Sequence, residues 1–229
     1  MPGEKDKIYP ETPHLILCEG LDAHNFLIWF LDFLKKESGE FNAFRVYDFG
    51  GITELKNYLR IITKTDGFKK IVKSICIIRD AETDVDGACQ SIQNILKNSG
   101  FAVPKKPCSW ENNGSAAYPK IMTGFLLFPS CDQNPRKGTL EDLCLDILAK
   151  ENAVSVLEDA DTALAKHKFK RIHKNRLHAY FSLTDEFVSL KIGEAAKTGA
   201  FSFHGPKIDS LKSFLLEMHK YSGENNIRR

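Results

Sequence analysis

The sequence lacks the short motifs that mark several common enzyme classes. It has no GxxxxGK[ST] phosphate loop, no GxGxxG after a predicted strand, no GxSxG nucleophile elbow and no HExxH zinc motif. None of the six cysteines stands in a CxxC pair, and the seven histidines show no metal-ligand spacing. These absences argue against P-loop, dinucleotide-binding, serine-hydrolase and zinc chemistry within this sequence.

Net charge and apolar run length are also small. The formal net charge is +2, so any attraction to nucleic acid has to come from local clustering of cations. No apolar run approaches transmembrane length, and residues 1–7 are polar and lack the apolar segment of a signal peptide. Cys18 and Cys76 lie in predicted core strands, which suits a reducing compartment. We expect a cytoplasmic protein without membrane association.

Strand and helix patterns alternate between residues 15 and 150. Apolar runs predict strands at 15–18, 44–49, 75–78 and 121–128. Apolar residues at helical spacing predict helices at 22–34, 53–63, 88–96 and 139–148, and turn-forming residues predict a long loop at 103–118. Asp22 could cap the first of these helices. Alternation of this kind predicts an α/β fold with a mostly parallel central sheet flanked by helices.

Strand signals end near residue 150. Residues 151–166, 171–197 and 207–220 have helical patterns, and the last of these is amphipathic. We therefore expect an α/β core over residues 1–150 and a helical C-terminal extension over residues 151–229 that packs on it.

Acidic residues follow two of the predicted strands. Glu19 comes after the first strand and Asp80 after the third, and ligands bind at the carboxyl ends of strands in open α/β sheets. If the chain stays extended past the third strand, Glu82 and Asp84 point the same way as Asp80. Carboxylates gathered there need a cation or a raised pKa, and a hard divalent metal is the simplest solution.

The same acids have structural interpretations. Glu19 could be a surface residue that ends a strand, and residues 80–86 could form a solvated acidic turn with Asp86 as a helix cap. Asp80 could also be a phosphoacceptor, as in receiver domains, although the chain has only one acid after its first strand.

A second acidic pair, Glu141 and Asp142, starts a predicted helix. The helix dipole favours acids at that position, so capping alone would explain them. Thr139 and Asp142 have the spacing of a capping box.

Cations concentrate in residues 166–178, which hold six Lys or Arg, three His and no acid. Contact with a phosphate backbone would use such a cluster, and a solvated helix face is the alternative. The candidate nucleic-acid contacts are Lys168, Lys170, Arg171, Lys174 and Arg176.

Three of these patterns together resemble a Toprim domain. They are Glu19-Gly20-x-Asp22, the strand that ends in Asp80-x-Glu82, and Thr139-Leu140-Glu141-Asp142. The similarity is greatest to small stand-alone Toprim proteins of the overcoming-lysogenization-defect nuclease group. His173–Tyr180, Ile192–Ala196 and Phe203 also resemble segments of those proteins, so the likeness covers about residues 13–218.

The resemblance implies a role for each matching residue. Glu19 corresponds to the Toprim glutamate, as metal ligand or proton carrier, and Asp22 to an early metal-site aspartate. Asp80 and Glu82 correspond to the DxD pair, here Asp-Ala-Glu, whose role Asp84 could share. Thr139 and Glu141 correspond to an element that holds a second metal. Lys174 corresponds to a lysine that stabilises charge at the scissile phosphate, with Lys191 and Lys197 as possible substitutes.

The implied function is metal-dependent hydrolysis of DNA or RNA phosphodiesters with Mg²⁺ or Mn²⁺, in the context of bacterial phage defence. It requires the side chains at positions 19, 80, 82 and 141 to share divalent ions. Many proteins of that group carry an ATPase domain, which this sequence lacks, so an ATPase would act as a separate partner. The alternative is a non-catalytic interaction module of the same fold that works with such a partner.

Overall fold

The computed structural model describes residues 10–39, 41–113, 115, 117–149, 153–169 and 172–224. The strands are β1 His14–Cys18, β2 Phe44–Asp48, β3 Ser74–Asp80, β4 Ser109–Glu111 and β5 Met122–Phe128. The helices are α1 Leu21–Ser38, α2 Ile52–Ile62, α3 Phe68–Ile71, α4 Val85–Asn98, α5 Leu140–Asp146, α6 Ala153–Leu164, α7 Ile172–Ser182, α8 Ile192–Lys197 and α9 Pro206–Glu224. None of these described helices has the length and apolar character needed to cross a membrane.

The five strands form one sheet in the order β2-β1-β3-β5-β4. Strands β2, β1, β3 and β5 run parallel, and β4 pairs antiparallel with β5 at one edge. The central strands are buried along most of their length, as expected for parallel strands covered on both faces. The predicted α/β fold with a mostly parallel sheet is confirmed.

Side chains alternate between the two faces of the sheet because successive residues of a strand point in opposite directions. In β3, Ile75 and Ile77 belong to the apolar cluster formed with α2, α3 and α4. Cys76 and Ile78 belong to the cluster formed with α1, α5 and the C-terminal helices. The alternation carries Arg79 and Asp80 to opposite faces at the end of the strand.

The residues after 150 complete the core on the α1 face. The Phe26 ring of α1 lies 6.0 Å from the ring of Phe201 and 5.6 Å from that of Phe203, between centroids. The centroid of the Phe26 ring also lies 6.4 Å from that of Phe128 in β5. The C-terminal helices therefore share an apolar cluster with the sheet, while a domain boundary at residue 150 stays a prediction.

Three elements differ from the sequence prediction. The loop predicted at 103–118 contains β4, which is too short for a recognisable pattern and gains its hydrogen bonds from β5. The four-residue helix α3 was not predicted. The single helical stretch predicted at 171–197 is two helices, α7 and α8, separated by turns that include Ser189 at φ +66°.

Two predicted helix caps were wrong and one was right. Gly20, rather than Asp22, is the N-cap of α1, and Asp22 lies in its first turn. Asp84, rather than Asp86, caps α4, because its carboxylate accepts the Gly87 N–H at 3.0 Å. The capping box at α5 is confirmed, since the Asp142 carboxylate accepts the Thr139 N–H at 2.8 Å.

Candidate functional site

Glu19 and Asp80 lie at the carboxyl ends of two neighbouring strands, β1 and β3. The Glu19 N–H donates to the Ile78 carbonyl at 3.0 Å, which continues the β1–β3 ladder to this edge. The chain leaves β1 for β2 on one side and returns to β3 on the other. The edge between β1 and β3 is therefore the point where strand order reverses, the usual ligand position in an open α/β sheet.

The Glu19 carboxylate is held on both sides. Its Oε1 accepts the N–H of Ile52, the first residue of α2, at 3.0 Å. Its Oε2 lies 2.9 Å from Nε of Arg79, which is 9% exposed. Arg79 also donates from Nη1 to the Ser91 hydroxyl at 3.0 Å, so α4 fixes the guanidinium beneath Glu19.

The sequence reasoning missed Arg79. A cation at the end of an otherwise apolar run, Ile75-Cys76-Ile77-Ile78, was a visible signal, since a buried arginine requires a charged or polar partner. The adjacent Glu19 is that partner.

Asp80 occupies the other face of the same strand end. Its Oδ1 accepts the N–H of Leu140, at the start of α5, at 2.9 Å. Burial raises the pKa of Asp80 to about 7, and the negative charges of Glu141 and Glu19 add to the effect. The Leu140 hydrogen bond and the Lys174 charge lower the pKa, but burial outweighs them.

Glu141 is buried, with 5% exposure, and pairs with a lysine from α7. Its Oε1 lies 2.8 Å from Nζ of Lys174. Burial alone would raise the pKa of Glu141, yet hydrogen bonds from Lys174 and the Thr139 hydroxyl hold it below its usual value. The buried Thr139 therefore both caps α5 and contacts the predicted metal ligand.

Asp22 lies on the same side of the sheet as Asp80 and Glu141. All three place negative charge near the thiol of Cys144 in α5. Burial raises the pKa of this thiol, and these three charges raise it further. Asp22 itself is exposed in the first turn of α1. Four predicted site acids therefore gather at this edge of the sheet: Glu19, Asp22, Asp80 and Glu141.

Glu82 and Asp84 do not follow Asp80 in one extended segment, as the sequence argument required. The chain leaves the extended conformation at Glu82, which has φ +52° and exchanges two backbone hydrogen bonds with Gly138. Asp84 is exposed and uses one carboxylate oxygen to cap α4. The premise of an extended segment was wrong because a turn links β3 directly to α4, and a metal role for these two residues stays a prediction.

The three candidate lysines have different surroundings. Lys174 contacts Glu141 of the acidic group. Lys191 is the exposed N-cap of α8, and Nζ of Lys197 lies 5.1 Å from the centroid of the Trp29 ring. Of the three lysines, Lys174 contacts an acid of the candidate site, while Lys191 and Lys197 make contacts elsewhere.

Fewer cations of the predicted basic stretch are available to contact nucleic acid than its charge count suggests. Arg176 donates from Nε and Nη2 to both carboxylate oxygens of Asp161 at 2.7 and 2.8 Å, and Lys174 pairs with Glu141. Lys168 is exposed, while Lys170 and Arg171 lie outside the described residues. A charge count along the chain does not include the acids that α5 and α6 bring to α7.

Asp48 is a further residue that the sequence reasoning missed. It ends β2, and its Oδ1 accepts the N–H of Gly20 at 2.8 Å and that of Gly50 at 2.7 Å. Both glycines have positive φ, +90° and +81°, which favours glycine at these positions. Asp48 therefore links the turns that follow β1 and β2, the first of which begins at Glu19.

These contacts compensate much of the negative charge at the edge of the sheet. Arg79 compensates Glu19, Lys174 compensates Glu141, and the raised pKa of Asp80 favours its neutral form. Among the residues that the structure describes, no three His, Cys, Asp or Glu side chains are arranged as ligands of one metal ion. Protein cations already pair with two of the predicted metal ligands, Glu19 and Glu141, and their role as ligands stays a prediction.

Comparison with known proteins places the chain in one family. No curated protein matches it, and no solved structure does. A family model described as "Protein of unknown function (DUF3226)" matches residues 13–220, a range that spans the sheet, both apolar clusters and the acidic edge. The chain therefore belongs to the DUF3226 family.

Proposed function

We propose that the protein is a metal-dependent nuclease of the Toprim type that hydrolyses DNA or RNA phosphodiesters. The observation that carries this proposal is the gathering of Glu19, Asp80 and Glu141, from three separate segments, at the β1–β3 edge. Burial and like charge raise the pKa of Asp80 to about 7, so the arrangement disfavours its ionised form. Perturbed carboxyls in a ligand-binding position are typical of functional sites.

The donor atoms suit a hard divalent ion. Glu19, Asp80 and Glu141 supply carboxylate oxygens, the ligands that Mg²⁺ and Mn²⁺ prefer. Binding would require Lys174 to release Glu141 and Asp80 to lose its proton. Asp22, Glu82, Asp84 and Thr139 would complete the coordination by resemblance to Toprim proteins. A bound ion would supply Lewis-acid activation of the phosphodiester and of the attacking water.

The protein's own residues would position the metal ligands and neutralise charge on the phosphate. Arg79 would act as a positioning residue, because it fixes one oxygen of Glu19 while Ile52 fixes the other. Lys174, once released from Glu141, would neutralise charge that develops on the phosphate. Glu19 would bind the metal or accept a proton from water.

Nucleic acid would contact the edge through its backbone rather than its bases, because cations near the site favour phosphate contact. Lys168 and Lys174 are the described candidates of the basic stretch for this contact, and Arg176 would have to leave Asp161 to join them. A separate ATPase, a cytoplasmic location and a role in bacterial phage defence belong to the same proposal.

A cleavage assay tests the nuclease proposal directly. The full chain with Mg²⁺ or Mn²⁺ should cut at least one of a single-stranded, a nicked and a transfer-RNA substrate. Asp80→Asn should lower the rate at least about a hundredfold, equivalent to ~2.7 kcal/mol of transition-state stabilisation. Glu158→Gln, at an exposed position on α6, is the matched control and should leave the rate unchanged.

A melting experiment separates metal binding from catalysis. At pH 8, Mg²⁺ or Mn²⁺ at about 100 times its Kd should stabilise the fold by ~2.7 kcal/mol. For a chain of this size the Tm should rise by roughly 5–10 °C. Asp80→Asn should remove most of that rise. Absence of both cleavage and a metal-dependent Tm shift would reject the enzyme.

The second candidate is a non-catalytic interaction module. The observation that favours it is that Arg79 and Lys174 already compensate Glu19 and Glu141 without a metal. This candidate predicts a flat Tm response to Mg²⁺ and Mn²⁺. It also predicts that Glu19→Gln leaves the protein's effect on cell growth or phage resistance unchanged.

A further inference from the structure

A second, basic cleft lies away from the acidic edge, between the exposed side of α2 and the C-terminal end of α4. We propose that it binds a phosphate-bearing ligand, the backbone of a nucleic-acid strand or a free nucleotide. The cleft encloses about 630 Å³, within the range of small-molecule and cofactor sites. This proposal does not depend on the metal site.

Four cations line the cleft: Lys56, Arg60, Lys64 and Lys69. Among the residues that the structure describes, no carboxylate lines the cleft, and none of the four cations forms an ion pair with an acid. This differs from the 166–178 stretch, where acids from neighbouring helices engage Lys174 and Arg176. The chain's net charge is only +2, so four uncompensated cations around one concavity are a local excess.

Three of the cations follow one line along α2. Lys56 and Arg60 are four residues apart, and Lys64 follows at the same interval in the turn after the helix. At 1.5 Å per residue, Lys56 and Arg60 are separated by about 6 Å along the helix axis. Like charges at this spacing destabilise a helix by a few tenths of a kcal/mol per pair. The row therefore has a small cost that a bound polyanion would remove.

The other lining groups can donate hydrogen bonds without adding negative charge. Asn57 and Asn98 place amide side chains at the cleft, and Asn57 also accepts a hydrogen bond from Nη2 of Arg60 at 2.7 Å. A planar, oriented guanidinium suits bidentate contact with a phosphate. The cleft thus offers charge and donors suited to phosphate oxygens.

The aromatic residue of the cleft is already engaged. Tyr118 stacks on Phe101 with centroids 4.3 Å apart, and Nζ of Lys69 lies 5.3 Å from the Tyr118 ring centroid. Its ring is therefore poorly placed to stack on a base, which is how single-stranded nucleic acid is bound through its bases. The geometry favours recognition of phosphates, which positions a strand without reading its sequence.

The cleft and the acidic edge share helix α2. Ile52, the first residue of α2, donates its N–H to Glu19, and Lys56 lies about one turn further along. A strand that followed the row of cations toward the start of α2 would approach Glu19. A backbone contact in the cleft would therefore guide a strand toward Glu19. Binding in the cleft itself requires no metal.

Fluorescence anisotropy with the full chain tests the cleft. The probe is a labelled 12-nucleotide single strand without added metal, titrated at several salt concentrations. Replacement of all four cations by glutamine (K56Q/R60Q/K64Q/K69Q) should raise Kd at least about tenfold. Loss of four phosphate contacts should also reduce the slope of log Kd against log salt by about 3. Circular dichroism would verify that the variant folds.

A charge-matched variant supplies the control. K105Q/K106Q/K207Q/K220Q removes four exposed lysines from elsewhere, and its Kd should change less than threefold. Competition with ATP and with inorganic phosphate distinguishes the sources. Displacement by ATP at micromolar concentration identifies a nucleotide site, and displacement only by a longer strand identifies a backbone site.

Two results would overturn the proposal. One is an equal loss of affinity in the cleft variant and the charge-matched control, since that indicates non-specific attraction. The other is no binding of strand, ATP or phosphate by the unmodified chain at low salt. Failure of the nuclease proposal is separate: Asp80→Asn should retain cleft binding, and the cleft variant should retain any Mg²⁺-dependent rise in Tm.

Discussion

Replacement of Arg79 by methionine should lower the free energy of unfolding by about 3 kcal/mol, because it leaves the Glu19 carboxylate without its cation. Methionine keeps a long apolar side chain beneath α4, so lost volume contributes little. The Ser91 hydroxyl also loses its donor from Arg79. Denaturant unfolding in metal-free buffer at pH 8 measures the effect.

The double variant Glu19→Gln with Arg79→Met is the control for this prediction. It removes both charges, so its loss of stability should be clearly smaller than that of Arg79→Met alone. Under the nuclease proposal, saturating Mg²⁺ should recover more stability in Arg79→Met than in the unmodified chain. Equal losses in single and double variants would show that the ion pair has no role in stability.

Replacement of Asp80 by asparagine should stabilise the protein at pH 8 by about 4 kcal/mol in the absence of metal. The pKa of Asp80 is raised from 3.8 to about 7 by burial, so the folded state binds a proton more tightly than the unfolded state. The stability that this proton contributes is complete below pH 3.8 and is lost as the pH rises toward 7. Asparagine keeps the acceptor for Leu140 and carries no charge.

The pH dependence identifies the cause of the gain. The difference in unfolding free energy between Asp80→Asn and the unmodified chain should be near zero at pH 4 and should level off above pH 7. Asp209→Asn, at an exposed position in the first turn of α9, is the matched control and should change the unfolding free energy by less than about 1 kcal/mol. A constant difference across the range would mean that Asp80 does not titrate as its burial implies.

The sheet was predictable because local sequence patterns set it. A continuous apolar run, such as that from Ile75 to Ile78, is typical of a strand that is covered on both faces of the sheet. The register of β4 depends instead on a partner more than ten residues away in sequence, and three residues carry too little pattern to show it. The predicted cap of α1 was wrong for a different reason, since Gly20 begins this helix through its positive φ rather than through a side-chain acceptor.

The candidate site was predictable in part. The rule for strand ends identifies Glu19 and Asp80, and the capping pattern locates Thr139 and therefore Glu141. The compensating cations were harder to find, because Arg79 and Lys174 meet their acids only through tertiary packing. The turn at Glu82 depends on its backbone pairing with Gly138, which lies 56 residues further along the chain.

The Asp48 carboxylate links the loops that follow β1 and β2. Because a single oxygen accepts the amides of Gly20 and Gly50, any rotation of the Asp48 side chain releases both amides together. We therefore expect the amides of Gly20 and Gly50 to exchange hydrogen with solvent in a correlated way. The backbone beside Glu19 is thereby linked to an aspartate that belongs to the second strand.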